Sequence, residues 1–267
     1  SYVGDLAFAP DPFLVEAIRG ADLILALGTR LGDLTTGGYE LLKPPKPDQT
    51  LIHVYPDPSE LGRLYTPDVA VVADPASFLA SCAKATPPTK TWRTWTANLQ
   101  AAFTASLAPV ACPGPLDMNV VIQELSGKLG PDDIITLDAG NFAQWVQRYY
   151  PFKGFRTQIG PTGGAMGYGI PAGVAAALVR PDRRVVTFVG DGGFMMTSNE
   201  MATAVQHRAN LVIIVVNNGM FGTIRAHQER RFPGRPHGTD LVNPDFVAMA
   251  EATGFAAFRV RETNDIS

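Results

Sequence analysis

RVVTFVGDGG, residues 184–193, is the stretch on which the fold of this chain turns. Val185–Val189 is a short, mostly apolar run, the pattern of a buried strand. It runs out into Gly190-Asp191-Gly192, and residues of helical character follow. Turn chemistry alone accepts Asp and Gly there. The other explanation is that something charged and bulky must approach the backbone at the strand's end.

Outward from this stretch, strands and helices alternate. Towards the C-terminus, SNEMATAVQH reads as a helix, LVIIVVNNG (211–219) as a strand, PDFVAMAEATG (244–254) as a helix and FAAFRV as a further strand. Towards the N-terminus, GAMGYGIPAGVAAALV and NFAQWVQRYY read as helices and DIITLDAG (133–140) as a strand. MNVVIQELSGKLG reads as a helix capped by Asp117. Earlier still, ADLILALG (21–28), TLIHVYPDP (50–58) and VAVVAD (69–74) read as strands, and Asp74-Pro75 opens a helix as N-cap and first-turn proline. Such interleaving predicts parallel α/β sheets. Between them, TPPTK, a helix in TWRTWTANLQAAFTASL, and APVACPGPLD suit a connector. Both ends of the chain read as cut.

Composition narrows the function classes. With 46% hydrophobic and 18% charged residues, the 267-residue chain has ordinary globular character. A net charge of −3 gives no field to attract nucleic acid or anionic membrane. Cys82 and Cys112 make no disulfide framework, which suits the cytoplasm. The longest apolar stretch is too short to span a bilayer, and SYVGDLAFAP is not a signal peptide.

If the strands ending at Gly190 and Val216 are parallel neighbours, Asp191 and Asn217-Asn218 emerge at one carboxyl edge, where open α/β sheets bind ligands. Asp191 offers an anionic oxygen, Asn218 an amide oxygen and Met220 a backbone carbonyl. Oxygen donors with little protein charge suit Mg²⁺ shared with a phosphate. Gly192 and Gly193 would present bare N–H groups to an anion. Each signal alone is a turn signal; their coincidence at two strand ends argues for a diphosphate pocket.

GDG, 24 residues from Gly193 to Val216, then NN resembles the cofactor motif of thiamine-diphosphate-dependent enzymes. The wider stretch from GPTGGAMGYG to SNEMATAV resembles the diphosphate-binding domain of the acetolactate synthase and benzoylformate decarboxylase group. ADLILALGTRLGD and LIHVYPDPSELGR resemble that group's central domain. The resemblance implies two doubly wound parallel-sheet domains. These are a partial central Rossmann-like domain (1–86), a linker with a helix (87–115) and a thiamine-diphosphate-binding domain (116–267) whose C-terminus is cut short. It implies Asp191, Asn218 and the Met220 carbonyl as magnesium ligands and Gly192 and Gly193 as the turn that receives the diphosphate. Met166, which taken singly reads as core packing, falls where the family places the apolar side chain beneath the thiazolium. Gly164 falls where a backbone carbonyl meets the cofactor's amino group. Glu200 matches a carboxylate of the family's helix and suits a helix-start acid equally well.

The implied chemistry is decarboxylation or carboligation of a 2-oxo acid, acetolactate-synthase-like, by a homodimer or homotetramer. The family's catalytic glutamate belongs to a pyrimidine-binding domain outside these residues, so no catalytic residue is named and the polypeptide alone is expected to be inactive. FAD in the central domain is disfavoured, because Tyr55 stands where flavin-binding relatives carry an acid; Asp33 and Asp57 are weaker candidates. Two alternatives stand beside this reading: a flavin-containing oxidoreductase of the pyruvate oxidase type, and a non-catalytic cofactor-binding piece. His53 reads as a structural histidine. The basic stretch 220–238 reads as a cover over the cofactor or a solvated face.

Overall fold

The computed structural model describes residues 2–6, 10–85, 92–110, 112 and 114–266. The chain divides into two compact units between Ala108 and Pro109.

The first unit carries helix α1 (Pro12–Arg19), strands β1 (Leu23–Leu27), β2 (Thr50–Tyr55) and β3 (Val69–Val72), and helices α2 (Pro75–Cys82) and α3 (Arg93–Ser106). Its three strands are parallel, in the order β1-β2-β3. The register Ile24↔Leu51 sets these two side chains on one face, where Leu51 and Ala26 pack with Leu31, Leu42 and Tyr65. Asp74 caps α2 by accepting from the Ala76 and Ser77 N–H groups, with Pro75 behind it, as its sequence predicts. Helix α3, expected in a connector, belongs to this unit: Phe103 meets Tyr2 edge-on at 5.3 Å. The TPPTK segment lies outside the described residues.

The second unit begins with α4 (Met118–Lys128), β4 (Ile134–Leu137), α5 (Ala143–Tyr149), β5 (Gln158–Ile159) and α6 (Gly169–Val179). It continues with β6 (Val185–Gly190), α7 (Asp191–Thr197), α8 (Glu200–Gln206), β7 (Leu211–Val216), α9 (Gly222–Arg231) and α10 (Phe246–Ala252). The sheet is all parallel in the order β5-β4-β6-β7. β6 therefore runs between two partners, and Val185–Val189 is buried throughout. On one face Phe188 packs with Ile122, Leu137 and Val146; on the other Val189 packs with Ile170, Val174 and Phe194. Burial of a side chain such as Phe188 is worth about 2–3 kcal/mol.

Small residues let α6 approach the sheet. A Cβ on Gly173 would stand 2.1 Å from Thr187 Oγ1. Beneath it, the buried Thr136 and Thr187 hydroxyls bond each other at 2.6 Å, and Thr136 also donates to the Gly169 carbonyl. No buried hydroxyl is stranded there, so the close approach costs little.

One expected strand is not formed. FAAFRV pairs with no described strand: Phe255 packs into the core beside Phe194, Phe258 is 88% exposed, and Arg259 pairs with Asp245. A short apolar run becomes a strand only where it finds a ladder partner; here its Arg259 lies against Asp245, the cap of α10, instead. No described helix is long and apolar enough to cross a membrane.

Candidate cofactor and metal site

Because the second sheet is parallel, β4, β6 and β7 deliver their C-terminal residues to one edge. Asp138 follows β4, Asp191 follows β6, and Asn217-Asn218 follow β7. Asp191 is only 2% exposed, and its oxygens are unequally used. Oδ1 accepts the Gly192 N–H at 3.0 Å; Oδ2 accepts the Gly219 N–H at 2.8 Å and Asn243 Nδ2 at 2.7 Å. A carboxylate oxygen has two lone pairs. Both on Oδ2 are taken, and Oδ1 keeps one.

Asn218 Oδ1 accepts the Met220 N–H at 3.2 Å, which folds residues 218–220 into a turn with Gly219 at φ +67°. An antiparallel bridge joins Met220 to Asp240, through Phe221 N–H to the Thr239 carbonyl and Leu241 N–H to the Gly219 carbonyl, both 2.8 Å. Neither bond consumes the Met220 carbonyl.

Asp191, Gly192, Gly193, Asn218, Met220 and Met166 line one pocket, closed by Asn141, Phe142, Phe221 and Thr223. Gly164 is not in that lining; it sits exposed two residues before Met166 at φ +68°. Gly192 differs from its expected role. Its N–H is turned onto Asp191, and its missing side chain matters sterically: a Cβ would lie 2.5 Å from Phe221 Cε1 and 3.3 Å from Met166 Cε. A Cβ on Gly193 would stand 3.1 Å from Asp138 Oδ2.

Asp138 is a site residue that the sequence reading missed. It is 1% exposed, and its carboxylate accepts N–H bonds from Ala139 at 2.6 Å, Gly167 at 2.9 Å and Gly169 at 3.1 Å. It thereby pins the loop that carries Met166. Burial pushes its carboxyl above the usual range, against the opposing pull of those backbone bonds. The available signal was LDAG, an acid between an apolar strand and a glycine, the same grammar as VGDG. Asn243, also missed, had none in its neighbourhood. Asn141 accepts from Thr223 Oγ1 at 2.8 Å, and both residues line the pocket.

Other candidates fall elsewhere. Glu200 accepts from Thr203 Oγ1 within its own helix and does not line the pocket. The basic stretch forms α9, whose Thr223 and Ile224 line the pocket; Arg225 pairs with Asp240, and Gln228 clasps the backbone of His237. In the first unit, His53 is buried, with Nε2 2.8 Å from the Thr29 carbonyl. At that sheet's carboxyl edge Tyr55 accepts from Arg30, Asp57 accepts twice from Ser59, and Asp33 accepts from the Leu34 N–H.

The donor set suits the metal expected from the sequence. One free carboxylate lone pair, one amide oxygen and one carbonyl are all hard oxygen donors, the kind Mg²⁺ takes while sharing its shell with phosphate and water. No group of three or more His, Cys, Asp or Glu among the described residues would cage a metal alone.

Comparison with known proteins agrees with this geometry. Residues 138–267 match the family described as thiamine pyrophosphate enzyme, C-terminal TPP binding domain, and residues 1–82 match thiamine pyrophosphate enzyme, central domain. The acetolactate synthase large subunit of Corynebacterium glutamicum is 32% identical over 94% of this chain and 42% of its own length. Acetolactate synthase isozyme 1 large subunit of Escherichia coli K12 is 36% identical over 79% of this chain and 37% of its own. The large subunit of Lactococcus lactis is 30% identical over 93% and 42%. The chain thus spans less than half the length of these relatives. It belongs to the thiamine pyrophosphate enzymes, of which it carries the central and C-terminal domains.

Proposed function

We propose that this chain holds the diphosphate and metal of thiamine diphosphate in an enzyme that decarboxylates a 2-oxo acid and joins the remainder to a second carbonyl, as an acetolactate synthase does. The observation that carries the proposal is that Asp191, with one lone pair open on Oδ1, lines one pocket together with Asn218, Met220, Gly192 and Gly193. The names of the relatives supply the substrate class.

When bound, thiamine diphosphate supplies a carbon nucleophile for the 2-oxo carbonyl and an electron sink for the pair left by departing CO₂. The protein's share is placement. Asp191, Asn218 and Met220 would hold Mg²⁺, Gly193 and Asn141 would line the place of the diphosphate, and Met166 and Phe221 would wall the apolar part. Asp138 keeps the Met166 loop in place through three backbone bonds. A homodimeric or homotetrameric assembly in the cytoplasm goes with the same reading. Nothing favours a flavin alternative.

The test is calorimetric titration of the protein with thiamine diphosphate, with Mg²⁺ and with chelator, followed by assay of pyruvate turnover to acetolactate with and without a pyrimidine-binding domain supplied. Metal-dependent binding by these residues is expected, with acetolactate formed only when that domain is present. Binding indifferent to Mg²⁺, or no consumption of any 2-oxo acid with the pyrimidine-binding domain present, overturns the proposal.

A further inference from the structure

We infer that Asn243 is a positioning residue that turns the Asp191 carboxylate so that a single lone pair faces the metal; this rests on the metal assignment proposed above. Asn243 lies 52 residues beyond Asp191, just before the Asp245 cap of α10. Its Nδ2 donates to Asp191 Oδ2 at 2.7 Å and to Asn217 Oδ1 at 2.9 Å. The Gly219 N–H donates to the same two oxygens, at 2.8 and 3.2 Å. Two donors and two acceptors therefore form a closed brace, with Asp191 and Asn217 on one side and Gly219 and Asn243 on the other.

The orientation of the amide follows from its partners. An ionised carboxylate can only accept, so the nitrogen of Asn243 must face Asp191. The terminal torsion of an aspartate is broad. The brace fixes the plane of the carboxylate and fills one oxygen position: Oδ2 is saturated, and only Oδ1 retains an open lone pair. It also divides the work of the adjacent asparagines. Asn217 is spent in the brace, whereas Asn218 Oδ1, among the described residues, accepts only the Met220 N–H and is left for the metal. The same fold-back pins Gly219 and Phe221 against Leu241 and Thr239, so the turn carrying Asn218 and Met220 is held from both sides.

The expected consequence concerns metal affinity more than stability. Without Asn243, Oδ2 regains a lone pair and competes with Oδ1, so the bound geometry must be selected from two. Loss of a group that orients a metal ligand commonly costs about 10–100-fold in metal affinity. Asn243→Ala should therefore raise the Mn²⁺ concentration needed for half-saturation about tenfold in the presence of thiamine diphosphate, read as loss of free-ion EPR signal. Cofactor affinity at saturating Mn²⁺ should change little. Asn243→Asp should weaken the ion further, because two carboxylates then face each other across 2.7 Å.

An unchanged Mn²⁺ midpoint in both variants overturns the inference, as does a lower melting temperature with no change in midpoint, which is what a purely structural role would produce. If Asn243→Ala does not fold, Asn243→Ser carries the same measurement. Absence of metal-dependent cofactor binding in the unsubstituted protein overturns the metal assignment and the inference together; binding that is equal in protein and variant overturns the inference alone.

Discussion

The two units offer the same kind of place for a ligand and use it differently. Each has a parallel sheet, and each sheet ends in loops at its carboxyl edge, where α/β folds bind ligands. In the first unit those loop groups form exposed pairs: Arg30 donates to Tyr55, Arg63 to Glu60, and the Ser59 N–H and hydroxyl to Asp57 Oδ1. In the second unit Asp191 Oδ1 retains a lone pair, and Gly192 and Gly193 bring backbone where side chains would block. Topology supplies an edge; whether a pocket forms there depends on which segments close around it.

The largest test of this contrast is Asp191→Asn. It removes the only anionic donor of the proposed set and sets an amide against the Gly219 and Asn243 donors. Mg²⁺-dependent cofactor binding should vanish by calorimetry, with about 2 kcal/mol of stability lost in denaturant melts. Binding that survives would remove the site from this edge.

Next come matched glycine substitutions. At Gly28, φ is +69° and a Cβ would stand 2.9 Å from Pro75 Cγ; at Gly192 it would stand 2.5 Å from Phe221 Cε1. Each alanine should cost about 2 kcal/mol of stability, from backbone strain in one case and overpacking in the other. Only Gly192→Ala should also weaken cofactor binding, on the order of tenfold, because Phe221 and Met166 must yield at the pocket wall. Equal effects on binding would erase the distinction between the edges.

Asp138 sharpens it through pH. Its raised value means that the folded protein keeps a proton the unfolded chain releases, between the ordinary carboxylate value and the raised one. Stability contributed at this position is therefore highest below that window and falls as pH rises through it. Asp117, Asp133 and Asp245 behave oppositely: hydrogen bonds hold their values low, so their contribution is present above the ordinary value and is lost in acid. In Asp138→Asn the downward slope towards neutral pH should disappear from melts taken across pH 4–7, and the Gly167 and Gly169 amides should exchange faster. A slope unchanged by the substitution would count against a buried, ionising Asp138.

The smallest effect belongs to the first edge. Tyr55→Phe removes the Arg30 bond at an exposed position and should alter stability by no more than about 0.5 kcal/mol, with cofactor binding untouched. A change in thiamine diphosphate affinity would show that this edge takes part after all.

Much of the second unit was legible because its signals are local. VVTFV is apolar enough to be a central strand, Asp117 caps the helix it precedes, as Asp74 does in the first unit, and GDG and NN punctuate strand ends. The misses are instructive in the same terms. Helix α1 follows Asp11-Pro12 and stops at Gly20, a signal in plain view that was not read. FAAFRV had the residue types of a short strand but no ladder partner among the described residues. Asp138 shared the grammar of Asp191, and only the returning 167–169 loop reveals what it holds.

Residue order alone determined the alternation of strand and helix, the parallel sheets, and the pair of polar strand ends with glycine beside them. Those depend on periodicity, capping and turn chemistry within a few residues. Which lone pair of Asp191 stays open, which of two adjacent asparagines is free, and why Gly192 admits no side chain were decided by tertiary structure. Each rests on a contact between segments far apart in the chain, and such contacts exist only once the 239–243 segment, the Met166 loop and Phe221 have closed around the edge of the sheet.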